Sequence, residues 1–103
     1  MVTIIFRVKI KDGKEEEALG KVTAMAEAVQ ANEPGALAYV VHRNQEDLSE
    51  IVFFEHYADD AAFESHGKTA HMAVMSENFA DIFDTATVKI ERLDRVAGVL
   101  RAG

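Results

Sequence analysis

The sequence predicts an α+β domain in the order β-α-β-β-α-β, with a four-stranded antiparallel sheet and its helices on one face. Three observations carry that reading. Val2 to Ile10 alternates, with Val2, Ile4, Phe6, Val8 and Ile10 on one side, the period of a strand with one buried face. Ala18, Val22, Met25 and Val29 then recur at helical spacing. Leu37 to Arg43 and Glu50 to Tyr57, both rich in β-branched and aromatic residues, flank a polar connector and form a hairpin. At 103 residues the chain should bury roughly two-thirds of its unfolded surface, enough for one core. Residues 1–103 are therefore read as one domain.

In chain order, Asp12 stands three residues before Glu15, the spacing of a helix N-cap with its reciprocal carboxylate, and Gly13 relieves the bend. The first helix places Lys14, Glu16, Glu17 and Lys21 outward and ends before Pro34-Gly35. A symmetric hairpin sets Tyr39 opposite Glu55 and Val41 opposite Phe53, a register that one bulged residue would shift. Asp59 caps a short helix carrying Ala62 and Phe63, which Gly67 breaks. Thr69 caps a further helix whose inner stripe is Met72, Met75 or Ser76, Phe79, Ile82 and Phe83. Thr85 to Arg95 alternates as a fourth strand.

About half the residues are apolar (49%) and 28% are charged, a globular balance. A formal net charge of -7 without a Lys/Arg cluster argues against nucleic acid or an anionic membrane surface as partner. Without cysteine there is no disulfide, thiolate nucleophile or Cys-ligated zinc. Neither a basic leader nor a run of spanning length is present, so cytoplasmic residence is expected. Two helices cover one face of such a sheet. The other face, with Ile5 and members of the hairpin, calls for a second copy of the chain, and a homodimer is expected. The alternative is a monomer with one wet face.

No phosphate loop, nucleophile elbow, H-E-x-x-H or calcium loop is present. Glu55 interrupts an apolar strand, where burial would raise its pKa and suit it to proton transfer; the structural alternative is pairing with Arg43 or Arg92. His66 follows Phe63 by three residues and can point into an apolar pocket as a base or orienter, or simply bond a helix-end carbonyl. His71 belongs to the first turn of the next helix. Five residues on one helix is about 140° of rotation, so His66 and His71 would not share a face, and no metal is expected. His42 and His56 alternate with the Glu55 side and are read as dimer-face or solvent residues. Asp59-Asp60 is a cap, and Met72, Met75 and Phe79 are core first and pocket wall second.

The segments Glu33-Pro34-Gly35-Ala36-Leu37-Ala38-Tyr39, Phe54-Glu55-His56-Tyr57-Ala58-Asp59-Asp60-Ala61-Ala62-Phe63 and His66-Gly67-Lys68-Thr69-Ala70-His71-Met72 resemble the antibiotic biosynthesis monooxygenase (ABM) family. The resemblance implies a ferredoxin-like protomer in a dimeric α/β barrel, with a pocket between sheet and helices. It also implies oxidation of phenolic or quinol-type aromatics by O₂ with neither metal nor flavin. Glu55, Tyr57, His66 and His71 match the motif, and Phe6, Tyr39, Phe53, Tyr57, Phe63, His71, Met72 and Phe79 are expected to bind the substrate. Heme-degrading relatives carry a histidine where this chain has Ser76 and a tryptophan where it has His66, which argues against heme cleavage.

The expectation is thus a cofactor-independent monooxygenase on a small aromatic molecule, with His66 and Glu55 catalytic and no cofactor. The alternatives are a non-catalytic barrel binding a small hydrophobic metabolite, and an O₂-independent isomerase or decarboxylase using the same pocket.

Overall fold

The computed structural model describes residues 1–101. Among them the elements run β1 (Val2–Ile10), α1 (Glu15–Asn32), β2 (Ala36–Arg43), β3 (Glu50–Tyr57), α2 (Asp60–Gly67), α3 (Ala70–Ile82) and β4 (Phe83–Leu93). The strands form one antiparallel sheet in the order β2-β3-β1-β4, a ferredoxin-like α+β fold.

The alternation of β1 turns Val2, Ile4, Val8 and Ile10 into the core, and Ala18, Val22, Met25 and Val29 are the buried stripe of α1. Asp12 does not cap that helix. The N-cap residue is Lys14 and no side chain fills the role. Gly13, at φ +80, lets the chain turn, and the Lys14 amide donates to the Lys11 carbonyl, so Asp12 falls two residues too early. Glu15, Glu16 and Glu17 in the first turn supply the negative charge that a helix N-terminus favours.

The hairpin has the expected register, Tyr39 opposite Glu55 and Val41 opposite Phe53. Its irregularity falls between Ala36 and Ala38, below both pairs, and leaves them unshifted. Asp59 caps α2 through the Ala62 amide at 2.8 Å, and Thr69 caps α3 through the Met72 amide. β4 starts at Phe83 rather than Thr85, because α3 passes into the strand without a loop, and it ends at Leu93. Where its pairing with β1 slips between Arg7 and Lys9, the Thr87 hydroxyl accepts the Lys9 amide at 2.8 Å.

Two buried clusters form the core. One gathers Val8, Ile10, Val22, Ile51, Phe53, Ile82 and Phe83; the other gathers Val2, Ile4 and Tyr57. Phe6 packs against both, and the space beside it is not filled by side chains. The opposite sheet face carries Ile5, Val40, Phe54 and Leu93, with Val40 and Leu93 nearly half exposed and Arg7 paired to Glu50 and Glu91. His56 lies on that side but is not a solvent residue. It is 3% exposed, bonded to the Thr3 hydroxyl at 2.8 Å and covered by Met1. That burial lowers its pKa, helped by the nearby Arg95 and the N-terminal ammonium. His42 does remain exposed.

Gly35 marks the closest approach of the β2 entry to α2, where an added Cβ would stand 2.7 Å from the Ala62 Cβ. Gly20, in the middle of α1, would meet nothing within 4 Å. Gly35→Ala is therefore expected to destabilise the fold by about 1–3 kcal/mol, the usual range for overpacking. Gly20→Ala is expected to stabilise it by about 0.4–1 kcal/mol. Urea unfolding of the two variants should move in opposite directions.

Candidate functional site

The unfilled space is a cavity of about 600 Å³ between the sheet and the helices. Its walls are mostly apolar: Ile4, Phe6 and Phe53 from the sheet, Phe63 from α2, Met72, Met75 and Phe79 from α3, and Val88 and Ile90 from β4. Phe6 meets Phe53 and Phe79 edge-on, with ring centroids 5.6 and 6.3 Å apart. The polar groups in the wall are Tyr39, Glu55, Glu64, His66 and Ser76. Of the residues singled out in the sequence, Phe6, Tyr39, Phe53, Glu55, Phe63, His66, Met72 and Phe79 meet in this wall, whereas Tyr57 and His71 stand behind it.

Tyr57 is fully buried, and its hydroxyl donates to Glu55 Oε1 at 2.6 Å. Glu55 makes neither of the arginine pairings weighed from the sequence: Arg43 bonds the Leu48 carbonyl, and Arg92 pairs with Asp60 at 2.9 Å while lying over the Phe63 ring. Desolvation raises the Glu55 pKa, the Tyr57 hydrogen bond and the nearby His66 oppose that rise, and Glu33 adds to it. Both tyrosines are pushed far above the ordinary phenol range, first by burial. For Tyr57 the hydrogen bond to Glu55 follows, and for Tyr39 the Glu55 charge. Neither phenol can serve as a base near neutrality.

His66, at the end of α2, is 5% exposed and lies between the Tyr39 and Tyr57 rings, 5.5 and 5.4 Å from their centroids. Its Nδ1 sits 2.9 and 3.0 Å from the two carboxylate oxygens of Glu33. His71 Nε2, from the first turn of α3, reaches the same carboxylate. An ionised carboxylate only accepts, so Glu33 holds both imidazoles by their N–H groups. His66 is then left with its lone pair on Nε2, which has no hydrogen-bond partner among the described residues and is not sealed from the cavity. A buried carboxylate orienting an imidazole whose other nitrogen faces a binding space is the arrangement of a positioned general base.

Glu33 opens the Glu33-Pro34-Gly35 segment that carries the resemblance, yet sequence reasoning gave it no role. Its signal was electrostatic. It is the C-cap residue of α1, where the helix dipole disfavours an anion, so a carboxylate locked there by Pro34 needs donors from elsewhere. The argument that kept His66 and His71 apart also fails, since it assumed one continuous helix. The break at Gly67 to Thr69 puts them on different helices, with ring centroids 6.3 Å apart. Together with Glu33 they present three potential ligand atoms within 4.8 Å of one another.

Fold and site together define a small ferredoxin-like protein with an apolar cavity, a buried carboxylate and an imidazole poised at its wall. The model of the family described as "Antibiotic biosynthesis monooxygenase" matches residues 1–78, and the chain belongs to that family. A solved protein of Pseudomonas aeruginosa is 29% identical, with a TM-score of 0.83 over 93% of this chain and 94% of that one. A Caulobacter crescentus protein, named as a candidate antibiotic biosynthesis monooxygenase, is 26% identical with a TM-score of 0.85, covering 93% and 90%. A Bacteroides thetaiotaomicron protein named likewise is 22% identical with a TM-score of 0.89 over 99% and 95%, a likeness of fold. Comparison with curated proteins finds no match. No helix among the described residues is long and apolar enough to cross a membrane.

Two substitutions probe the buried carboxylate. Tyr57→Phe is expected to lose about 1–3 kcal/mol, the penalty for a buried acceptor deprived of its donor. Because the folded state raises the Glu55 pKa, it binds a proton more tightly than the unfolded chain does. This contribution to stability is present at acid pH and declines as pH rises through the raised value. Glu55→Gln keeps an acceptor for Tyr57 and removes the charge. Urea midpoints should therefore show Glu55→Gln gaining on the unsubstituted protein between mildly acidic and neutral pH.

Proposed function

We propose that the protein is a cofactor-independent monooxygenase that oxidises a small, flat, uncharged phenolic or quinol-type aromatic with O₂. The observation that carries this is His66, in the cavity wall with Nδ1 tied to Glu33 and Nε2 free. The cavity, at about 600 Å³, falls within the ~300–1,000 Å³ usual for small-molecule sites and suits a fused aromatic system. Phe6, Phe53, Phe63, Met72 and Phe79 bind its faces, and Tyr39 offers a hydroxyl.

In the reaction, His66 Nε2 removes the substrate hydroxyl proton, and Glu33 steadies the imidazolium that results. The electron-rich phenolate passes one electron to O₂, and the radical pair recombines to a peroxide. Loss of water from that peroxide leaves one oxygen atom in a quinone product and the other in water, every electron coming from the substrate. Glu55, kept hard to ionise by its burial, adds little negative charge to oppose the phenolate and can return a proton to the departing oxygen. Tyr57 positions Glu55, and His71 completes the hold on Glu33.

The whole chain acts in this reading as one ABM-like unit in the cytoplasm. The Ile5, Val40, Phe54 face pairs with its counterpart in a second chain, giving a dimeric α/β barrel. Sedimentation at micromolar concentration should return twice the 11.4 kDa chain mass, and Val40→Glu should shift it toward the single-chain value.

Oxygen uptake across hydroquinones and anthrones tests the chemistry. Substrate-dependent consumption should survive exhaustive metal chelation, and His66→Ala should lower turnover by about 10²- to 10⁴-fold, the range for a lost general base. Absence of uptake across the panel favours a binder, and turnover without oxygen favours an isomerase.

A further inference from the structure

We propose that Glu33, His66 and His71 form a binding site for one borderline first-row divalent cation, Zn²⁺ in type, set behind the cavity rather than in it. The three ligand atoms converge from three elements, the end of α1, the end of α2 and the start of α3, and all lie within 4.8 Å of one another. Donor atoms around a tetrahedral ion with bonds of ~2.0 Å stand about 3.3 Å apart. The Glu33 oxygens are already 2.9 and 3.0 Å from His66 Nδ1, so a small opening of the cluster admits the ion. All three side chains are largely withdrawn from water, at 7%, 8% and 16% exposure for His66, Glu33 and His71.

The chemistry of the set selects the cation. Two imidazoles with one carboxylate suit zinc, cobalt or iron, whereas magnesium and calcium require oxygen ligands. The surrounding field is favourable. The carbonyl ends of α1 and α2 both lie at the cluster and attract positive charge; the amide end of α3 opposes them. His71 also lines a smaller pocket of about 230 Å³ with Lys21, Ala24, Met25, Val74 and Met75, so the cluster borders a space beside the main cavity, with which it shares Met25 and Met75.

The consequence for the reaction rests on the reading of His66 as the base. An ion on Nδ1 takes the place of the hydrogen given to Glu33, and the ring must then carry its hydrogen on Nε2, where it donates instead of accepting. Filling the site therefore turns the base off.

The test is titration of the whole chain, freed of metal, with Zn²⁺ by calorimetry and with Co²⁺ by its visible absorption. One ion per chain is expected, with the intense d–d bands of a low-coordinate site. His71→Ala and Glu33→Gln should weaken binding by more than the roughly 10- to 100-fold that loss of an outer-shell partner causes. Glu33→Gln keeps the shape and one acceptor oxygen, at the position that both rings reach, so unchanged circular dichroism alongside lost binding separates a ligand from a structural strut. Binding that survives both substitutions but disappears in His42→Ala, or no saturable binding at all, overturns the proposal. Turnover is read separately: Zn²⁺ should inhibit the unsubstituted enzyme with the affinity measured by calorimetry. A protein that binds the ion but oxidises nothing without it sinks the monooxygenase reading and leaves the site standing.

Discussion

The burial of Glu33 is the constraint around which this end of the molecule is built. A carboxylate at the C-terminus of an 18-residue helix meets the negative end of the dipole, and at 8% side-chain exposure it has little water to compensate. Only donors from elsewhere can make the position tolerable. Two imidazoles provide them, one closing α2 and one opening α3. Satisfying one acid thus fixes the ends of three helices relative to one another, and it determines which nitrogen of His66 is left for the cavity. Gly35, two residues on, permits the same closure sterically, since any larger residue would press on Ala62.

The second buried acid, Glu55, is treated differently. Among the described residues it has a single phenol donor and no cation in contact, so desolvation prevails and the carboxyl is held above its ordinary range. One acid is held by two imidazoles, the other by one phenol in a setting that favours its protonated form. The same environment removes both tyrosines from acid-base work by pushing their ionisation out of reach. A cavity with three titratable residue types in its wall is thereby reduced to one strong candidate for proton abstraction, and the selection is made by solvation and hydrogen bonding.

Most of the fold was legible because it rests on periodicity and local punctuation. The alternation of β1, the stripe of α1, the caps at Asp59 and Thr69 and the hairpin register all follow from spacings within a few residues. Asp12 misled because a glycine turn closed by backbone bonds displaced the helix start, a choice a spacing rule cannot see. The site was legible in part. Glu55 stood out by interrupting an apolar strand, and His66 by its distance from Phe63. Glu33 and the approach of His66 to His71 depend on three helix ends meeting across 38 residues of chain, and His56 depends on Met1 folding over it. Those are tertiary facts, and helix-rotation arithmetic misjudged the histidine pair because it cannot register a break.

The position of the Glu33, His66 and His71 cluster relative to the cavity connects structure to chemistry. An ion that activates O₂ or polarises a substrate must share the space in which the substrate lies, with an open coordination position facing it. Here the three donors lie within 4.8 Å of one another, and among the described residues His66 lines the cavity whereas Glu33 and His71 do not. Among the described residues, the His66 imidazole is common to the cluster and the cavity wall. Whatever occupies the rear of the ring, proton or cation, is felt at the front through one variable, the presence or absence of hydrogen on Nε2. An imidazole whose tautomer is set by a neighbour outside the cavity wall can be tuned without altering the shape of the cavity.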